Sequence, residues 1–177
     1  MPLPEWLVLT ILAQQPAHGF AVVQLTAPGG ELGRIWQVPK AVIYRAIGRL
    51  LDAELIAPEA TEVGPGPQRT VYGATPRGRE AADWWLGAPV AHVREIRSAF
   101  LLKLALLDRA GADPSGLLRA QRATLEPIAR AIETSLAGST GFDATLLAWR
   151  RASAVAALDF LDTIDPQGER TGPAPAP

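Results

Sequence analysis

The sequence from Arg34 to Glu54, RIWQVPKAVIYRAIGRLLDAE, predicts an amphipathic helix that begins at Pro39 and runs to about Ala53. Proline suits the first helical position, because its missing N–H would have no partner there. At about 100° per residue, one side of this helix is apolar: Ile43, Ala46, Ile47 and Leu50. The other side carries small and charged residues: Ala41, Arg45, Gly48 and Asp52, flanked by Tyr44 and Arg49. Such a helix packs one side against a core and presents cations on the other.

A strand-turn-strand pattern follows this helix. Residues 55–57 and 69–72 have the composition of short strands, and Gly64–Pro67 between them is typical of a loop tip. Thr75 before Pro76 is typical of a helix N-cap followed by its first residue, which predicts another helix over residues 77–86. The segment after the amphipathic helix is therefore predicted to be a two-stranded wing that leads into a helix.

Two further helices are predicted before the amphipathic one. Residues 4–14 form an apolar run that ends where Gln15 precedes a proline, and a second helix begins near His18. The order is helix, helix, helix, two-stranded wing, helix. This order predicts a winged helix-turn-helix over residues 1–86.

The remainder of the chain is predicted to be helical. Three runs, at residues 90–109, 114–136 and 142–164, have apolar residues at helical spacing. We expect residues 87–165 to form a helical dimerisation and effector domain, and the proline- and glycine-rich residues 166–177 to be a disordered tail. The predicted fold class is thus mostly α with a small two-stranded wing.

Composition limits the classes of function. The 177 residues are 48% hydrophobic and carry a net charge of −1, so a nucleic-acid surface has to be a local patch. The chain has no cysteine, which agrees with a reducing cytoplasm, and its apolar runs are shorter than the roughly 18 residues of a membrane span. We therefore expect a cytoplasmic protein with no membrane contact.

The exposed side of the amphipathic helix predicts a DNA-reading surface. A recognition helix usually reaches base edges with its N-terminal half. The candidate readers are Lys40, Ala41, Tyr44 and Arg45. Arg49 is a candidate phosphate contact, as are Gln68 and Arg69 of the wing. The alternative is a solvated helix face, because every basic residue except Lys40 and Lys103 is an arginine.

Three segments of the chain resemble PadR-type transcriptional regulators. PAHGFAVV at residues 16–23 is similar to the start of that family's second helix, and PKAVIYRAIGRLLDAELI at residues 39–56 is similar to its recognition helix and following strand. VYGATPRGREA at residues 71–81 resembles the second wing strand. Glu54 stands where the family usually has glycine, so a left-handed backbone there would cost on the order of 1 kcal/mol. The C-terminal half resembles the longer, virulence-activator-like branch.

The resemblance implies a ligand-responsive repressor that binds a double-stranded DNA operator as a homodimer. The apolar stripes of residues 90–107 and 142–164 are the predicted dimer surface. The implied effector is small and aromatic, and its candidate contacts are Trp85, Phe100 and Trp149. The alternative for these aromatic residues is an ordinary core or interface role.

Catalysis and cofactor binding have little support in the sequence. The two histidines, His18 and His92, are far apart in the chain, and no cysteine completes a metal set. We predict no catalytic residues, no metal and no cofactor. The remaining alternative to a DNA-binding regulator is a winged-helix module that binds a protein partner without specific DNA binding.

Overall fold

The structure is a computed structural model that describes residues 1–62 and 68–165. Within these residues the seven α-helices are α1 (Leu3–Gln14), α2 (Gly19–Thr26), α3 (Lys40–Asp52), α4 (Pro76–Gly87), α5 (Leu101–Arg109), α6 (Ser115–Leu136) and α7 (Gly141–Ile164). The strands are β1 (Ala17–His18), β2 (Ile56–Glu62) and β3 (Arg69–Ala74). The predicted loop tip at residues 64–67 and the predicted tail at residues 166–177 lie outside the described residues.

The chain divides into two compact units. The first contains residues 1–87 together with residues 97–112, and the second contains residues 88–96 together with the chain from residue 113 onward. The winged helix-turn-helix therefore shares its unit with α5, which was predicted from the sequence to belong to the C-terminal domain. No helix in the described residues is long and apolar enough to cross a lipid bilayer.

Helix α1 lies in the core of the first unit. Five of its apolar side chains are at most 2% exposed: Leu7, Val8, Leu9, Ile11 and Leu12. A helix that is apolar on all sides is stable in water only when other elements surround it. Helices α3 and α4 and strand β3 pack against α1. Helix α5 does so as well, because Gln14 Nε2 donates to the backbone oxygen of Leu106 at 2.6 Å.

The sheet has one strand more than the predicted wing. Its order is β1-β3-β2, with both pairs antiparallel. The predicted wing strands are present as β2 and β3. The additional strand β1 is only two residues long, and it pairs Ala17 with Tyr72 and His18 with Val71. This pairing attaches the start of α2 to the base of the wing.

The second unit contains α6, α7 and the segment before α5. Gln121 of α6 is fully buried, accepts a hydrogen bond from the Val90 N–H at 2.7 Å and donates to the Val90 oxygen at 3.0 Å. Ion pairs join Arg122 to Asp162 and Arg151 to Glu133, so α6 and α7 are held together at two positions along their length.

The predicted helical run from Val90 begins differently in the structure. A 3₁₀ turn at Val93–Glu95 and a π-helical turn at Ile96–Phe100 precede α5. The Glu95 carboxylate accepts a hydrogen bond from the His92 N–H at 2.9 Å, which closes the first turn locally. Regular α-helix starts only at Leu101.

Candidate nucleic-acid interface

Helix α3 buries the side that its sequence pattern predicts. Its buried residues are Ile43, Ala46, Ile47 and Leu50. Pro39 is the N-cap residue rather than the first helical residue, so the helix begins at Lys40, one position later than predicted. Val42 and Leu51 beside them are partly buried, and the opposite side of the helix is open to solvent.

A left-handed residue ends α3. The Leu55 N–H donates to Leu50 O at 3.0 Å and the Glu54 N–H donates to Leu51 O at 2.9 Å, which is the Schellman arrangement of a helix C-terminus. Glu54 has a φ of 55°, in the region that favours glycine. The left-handed backbone considered from the sequence is therefore present, and the protein carries a strained glutamate at the exit of α3.

The four candidate readers are all exposed on the first half of α3: Lys40, Ala41, Tyr44 and Arg45. The Tyr44 side chain is 45% exposed despite its aromatic ring. The Lys40 ammonium lies 5.8 Å from the centroid of that ring, within the range of a cation–π interaction. Two of the four readers are therefore in contact with each other.

The Tyr44 ring packs against the first residue of α2. A Cβ atom placed on Gly19 would lie 3.0 Å from Cε1 and 3.3 Å from Cζ of Tyr44. It would also lie 3.1 Å from Cδ1 of Ile47. The absence of a side chain at Gly19 thus allows α2 and α3 to approach closely beside a candidate reader.

The candidate wing residue Arg69 lies beside the same part of α2. Its guanidinium carbon is 5.4 Å from the centroid of the Phe20 ring, and its Nη1 is 3.4 Å from Nε2 of His18. His18 also caps α2, because its Nδ1 accepts a hydrogen bond from the Ala21 N–H at 3.0 Å. Gln68, the other wing candidate, is exposed next to Arg69.

These contacts join α3 to the base of the wing. Lys40 meets Tyr44, Tyr44 meets Gly19, and the neighbouring Phe20 meets Arg69. We call these five residues the cation–aromatic strip. An open groove of about 600 Å³ lies beside it, with His18, Phe20 and Arg69 among its lining residues. Neither Phe20 nor His18 was predicted from the sequence to belong to this surface, because only the pairing of β1 with β3 brings them to Arg69.

Arg49, the candidate phosphate contact on α3, has an intramolecular partner. Its Nη1 lies 2.6 Å from Oε1 of Glu5 in α1. The Glu5 side chain is 5% exposed whereas that of Arg49 is 58% exposed. The second carboxylate oxygen of Glu5 is buried with no hydrogen-bond partner among the described residues. The guanidinium therefore compensates a buried carboxylate and fixes α3 on α1.

The three candidate effector residues have different environments. Trp85 and Phe100 belong to the first unit and are 6% and 0% exposed. Trp85 stacks on Trp6 at a centroid distance of 5.8 Å, and its backbone oxygen accepts a hydrogen bond from Lys103. Trp149 belongs to the second unit and is 71% exposed. Burial gives Trp85 and Phe100 a core role, and only Trp149 offers its ring to solvent.

No cluster of histidine and carboxylate groups suited to a metal ion occurs among the residues that the structure describes. The Asp162 carboxylate of α7 forms an ion pair with Arg122.

The helices and the wing define a winged helix-turn-helix protein, and comparison with known proteins agrees with this class. The sequence model described as the "Transcriptional regulator PadR-like family" matches residues 8–83. Over those residues the chain is similar to the PadR-like family of transcriptional regulators. No protein with a curated functional description matches the chain.

Two solved structures from Bacillus subtilis are similar to the chain. PadR in complex with operator DNA has 19% sequence identity and a TM-score of 0.48, and the match covers 93% of this chain and 98% of that one. A second structure of PadR has 17% identity and a TM-score of 0.40, with 90% and 91% covered.

Proposed function

We propose that this protein is a DNA-binding transcriptional repressor that binds its operator sequence-specifically as a homodimer and responds to a small aromatic effector. The observation that carries the DNA-binding part is the cation–aromatic strip. It makes one exposed surface from the start of α3 and the base of the wing, the two elements that a winged helix-turn-helix applies to a duplex. The match of the PadR-like family model to residues 8–83 supports the same proposal.

The readers are assigned by their place on α3. Arg45 can donate two hydrogen bonds to guanine, and Lys40 and Tyr44 can reach neighbouring groups in the major groove. Ala41 is small and exposed, so the helix backbone can approach the bases. Gln68 and Arg69 are proposed to bind the phosphates that flank the groove. Arg49 is proposed to act through Glu5, as the anchor of α3 rather than as a main phosphate contact.

The homodimer is proposed to form through α7. Four large apolar side chains of this helix are more than a third exposed: Phe142, Trp149, Val155 and Ile164. Water-exposed aromatic rings on one helix favour burial against a second apolar surface. An operator with two-fold symmetry matches a two-fold dimer, which gains affinity from two linked half-sites.

The effector is proposed to contact Trp149, whose ring is exposed in the single chain and can stack on a flat molecule, in competition with the second copy of α7. Trp85 and Phe100 would contribute only after the packing around them opens. Quenching of tryptophan fluorescence by phenolic acids or planar cationic dyes tests this, with Trp149→Phe as the control. Loss of the signal in that variant supports the assignment, and an unchanged signal contradicts it.

The test of DNA binding uses the duplex upstream of the protein's own coding region and a scrambled duplex of equal length. We expect the wild type to prefer the first duplex. Each good base contact is worth about 1–3 kcal/mol, so Tyr44→Ala combined with Arg45→Ala should reduce that preference by about a hundredfold. A wild type that binds neither duplex would support the alternative, a winged-helix module for a protein partner. Reporter expression in the presence and absence of the protein distinguishes repression from activation.

A further inference from the structure

The contact between Gly19 and Tyr44 has a role that rests on the proposed DNA-binding function and goes beyond it. Gly19 is the first residue of α2 and is buried, whereas Tyr44 stands on the exposed side of α3. The φ of Gly19 is outside the left-handed region, since the described positive-φ glycines are Gly29, Gly111 and Gly141. An alanine at position 19 is therefore not strained by backbone conformation. The constraint on this position is steric.

The steric constraint acts on a particular ring. A Cβ at position 19 would meet Tyr44 at 3.0 and 3.3 Å and Ile47 at 3.1 Å, closer than ordinary van der Waals contact. Ile47 is 4% exposed and held by the core, whereas Tyr44 is 45% exposed and has solvent to move into. An added methyl group would therefore push the Tyr44 ring outward rather than move the core.

The displacement would reach a second candidate reader. The Lys40 ammonium lies over the Tyr44 ring. A shift of the ring therefore also changes the position that the cation–π interaction favours for this ammonium. Recognition sites require their groups within about 0.5 Å of the productive geometry. A shift of a few tenths of an ångström thus affects base reading while the fold is retained.

We propose that Gly19 is a positioning residue for DNA recognition, and that its missing side chain sets how far the Tyr44 ring and the Lys40 ammonium stand out from α3. The role is specific to sequence reading. Phosphate contacts made by Arg69 do not depend on the position of the Tyr44 ring, so affinity for scrambled DNA is retained when Gly19 is changed.

A double-mutant cycle with the full chain tests the proposal. The variants are Gly19→Ala, Tyr44→Ala and their combination, each measured against the upstream duplex and the scrambled duplex. Gly19→Ala should weaken binding to the upstream duplex about tenfold and binding to scrambled DNA less than twofold. In the Tyr44→Ala background it should have no further effect, because the ring it displaces is absent. Non-additivity of this kind is expected of groups in direct contact.

Two controls separate positioning from general destabilisation. Gly116→Ala adds the same methyl group to α6, where it meets nothing within 4 Å, and should leave both affinities unchanged. Thermal unfolding shows whether each variant folds. If Gly19→Ala does not fold, the cycle is repeated with Ile47→Val throughout, which removes the Cδ1 contact and leaves the Tyr44 contact.

The outcomes distinguish the two proposals. A wild type without preference for the upstream duplex overturns the proposed function and the role of Gly19 with it. In the other case, the wild type prefers the upstream duplex while Gly19→Ala has the same effect in the wild-type background as in the Tyr44→Ala background. That result overturns the role of Gly19 and leaves the proposed function in place.

Discussion

The two units of this protein expose different kinds of side chain. The first unit buries most of the apolar residues of α1 and one apolar side of α3, and leaves the candidate readers of α3 exposed. The second unit leaves Phe142 and Trp149 of α7 largely in water. Buried apolar surface stabilises a fold, whereas exposed aromatic surface favours association. The difference supports the proposals of a polar, anionic partner for the first unit and an apolar partner for the second.

The largest expected effect concerns the apolar partner of the second unit. Trp149→Ala should raise the dissociation constant of the dimer by at least about a hundredfold, because two-fold symmetry removes the side chain twice and each burial is worth about 1.5–3 kcal/mol. Light scattering coupled to size-exclusion chromatography measures the change.

Trp84→Ala is the matched control for Trp149→Ala. Trp84 is similarly exposed, at 68%, but belongs to the first unit. It should leave the dimer intact. If both substitutions raised the dissociation constant of the dimer equally, the proposed difference between the partners of the two units would be wrong.

The next effect concerns the attachment of α3 to α1. Arg49→Ala should lower the free energy of unfolding by about 1–3 kcal/mol, because it leaves the carboxylate of Glu5 buried without its partner. Chemical denaturation measures this. Arg45→Ala, exposed on the same helix, should change stability by less than about 0.5 kcal/mol.

A second substitution at Glu5 sharpens the result for Arg49. Glu5→Leu combined with Arg49→Ala should recover most of the lost stability, since no buried charge remains. Failure to recover would mean that Arg49 stabilises the protein through its alkyl chain rather than through the ion pair.

A smaller effect of opposite sign is expected at the end of α3. Glu54→Gly should raise the free energy of unfolding by about 0.5–1 kcal/mol, because glycine adopts a positive φ without the steric cost that a Cβ brings. Thermal and chemical denaturation both measure it. A decrease in stability would show that the Glu54 side chain makes a compensating contribution.

The smallest effect is a pH dependence in the second unit. Hydrogen bonds from the Ser115 hydroxyl and backbone N–H hold the pKa of the Asp113 carboxyl below its ordinary value. A carboxyl with a lowered pKa in the folded state stabilises the protein above the pKa of the unfolded state. That contribution is lost as pH falls through the lower pKa of the folded state.

Asp113→Ala tests this sign. It should lower the melting temperature slightly at neutral pH, and the difference from the wild type should shrink at about pH 2, below the ordinary pKa of aspartate near ~3.9. A difference that is constant with pH would contradict the charge-dependent part of this contribution. The effect is small because the carboxyl is fully exposed.

The sequence predicted the elements that local patterns encode. The helical periodicity predicted which side of α3 is buried, including Ile43 and Leu50. The Thr75-Pro76 pair predicted the start of α4, where the Thr75 hydroxyl accepts a hydrogen bond from the Gly78 N–H at 3.1 Å. For Glu54 the resemblance to the family only raised the question of a left-handed backbone, and the structure has one there. Each of these depends on residues within a few positions of one another.

The features that the sequence did not predict depend on distant residues. Strand β1 has only two residues, which is too short for an alternating pattern of side chains. It is recognised as a strand only by its pairing with Val71 and Tyr72. The Glu5–Arg49 ion pair joins residues 44 positions apart. The contact of Gly19 with Tyr44 arises only when α2 packs on α3. For this reason the candidate readers could be named from the sequence, whereas the residues that hold them could not.

The salt dependence of DNA binding tests the central claim that the cation–aromatic strip binds the duplex. Fluorescence anisotropy with the upstream duplex gives the binding constant K over a series of salt concentrations, for the wild type and for Arg69→Ala. We expect log K to fall linearly with log salt by about 0.9 for each phosphate contact, and the slope for Arg69→Ala to be shallower by about one such contact. A wild-type K independent of salt, or the same slope in the variant, would contradict the account.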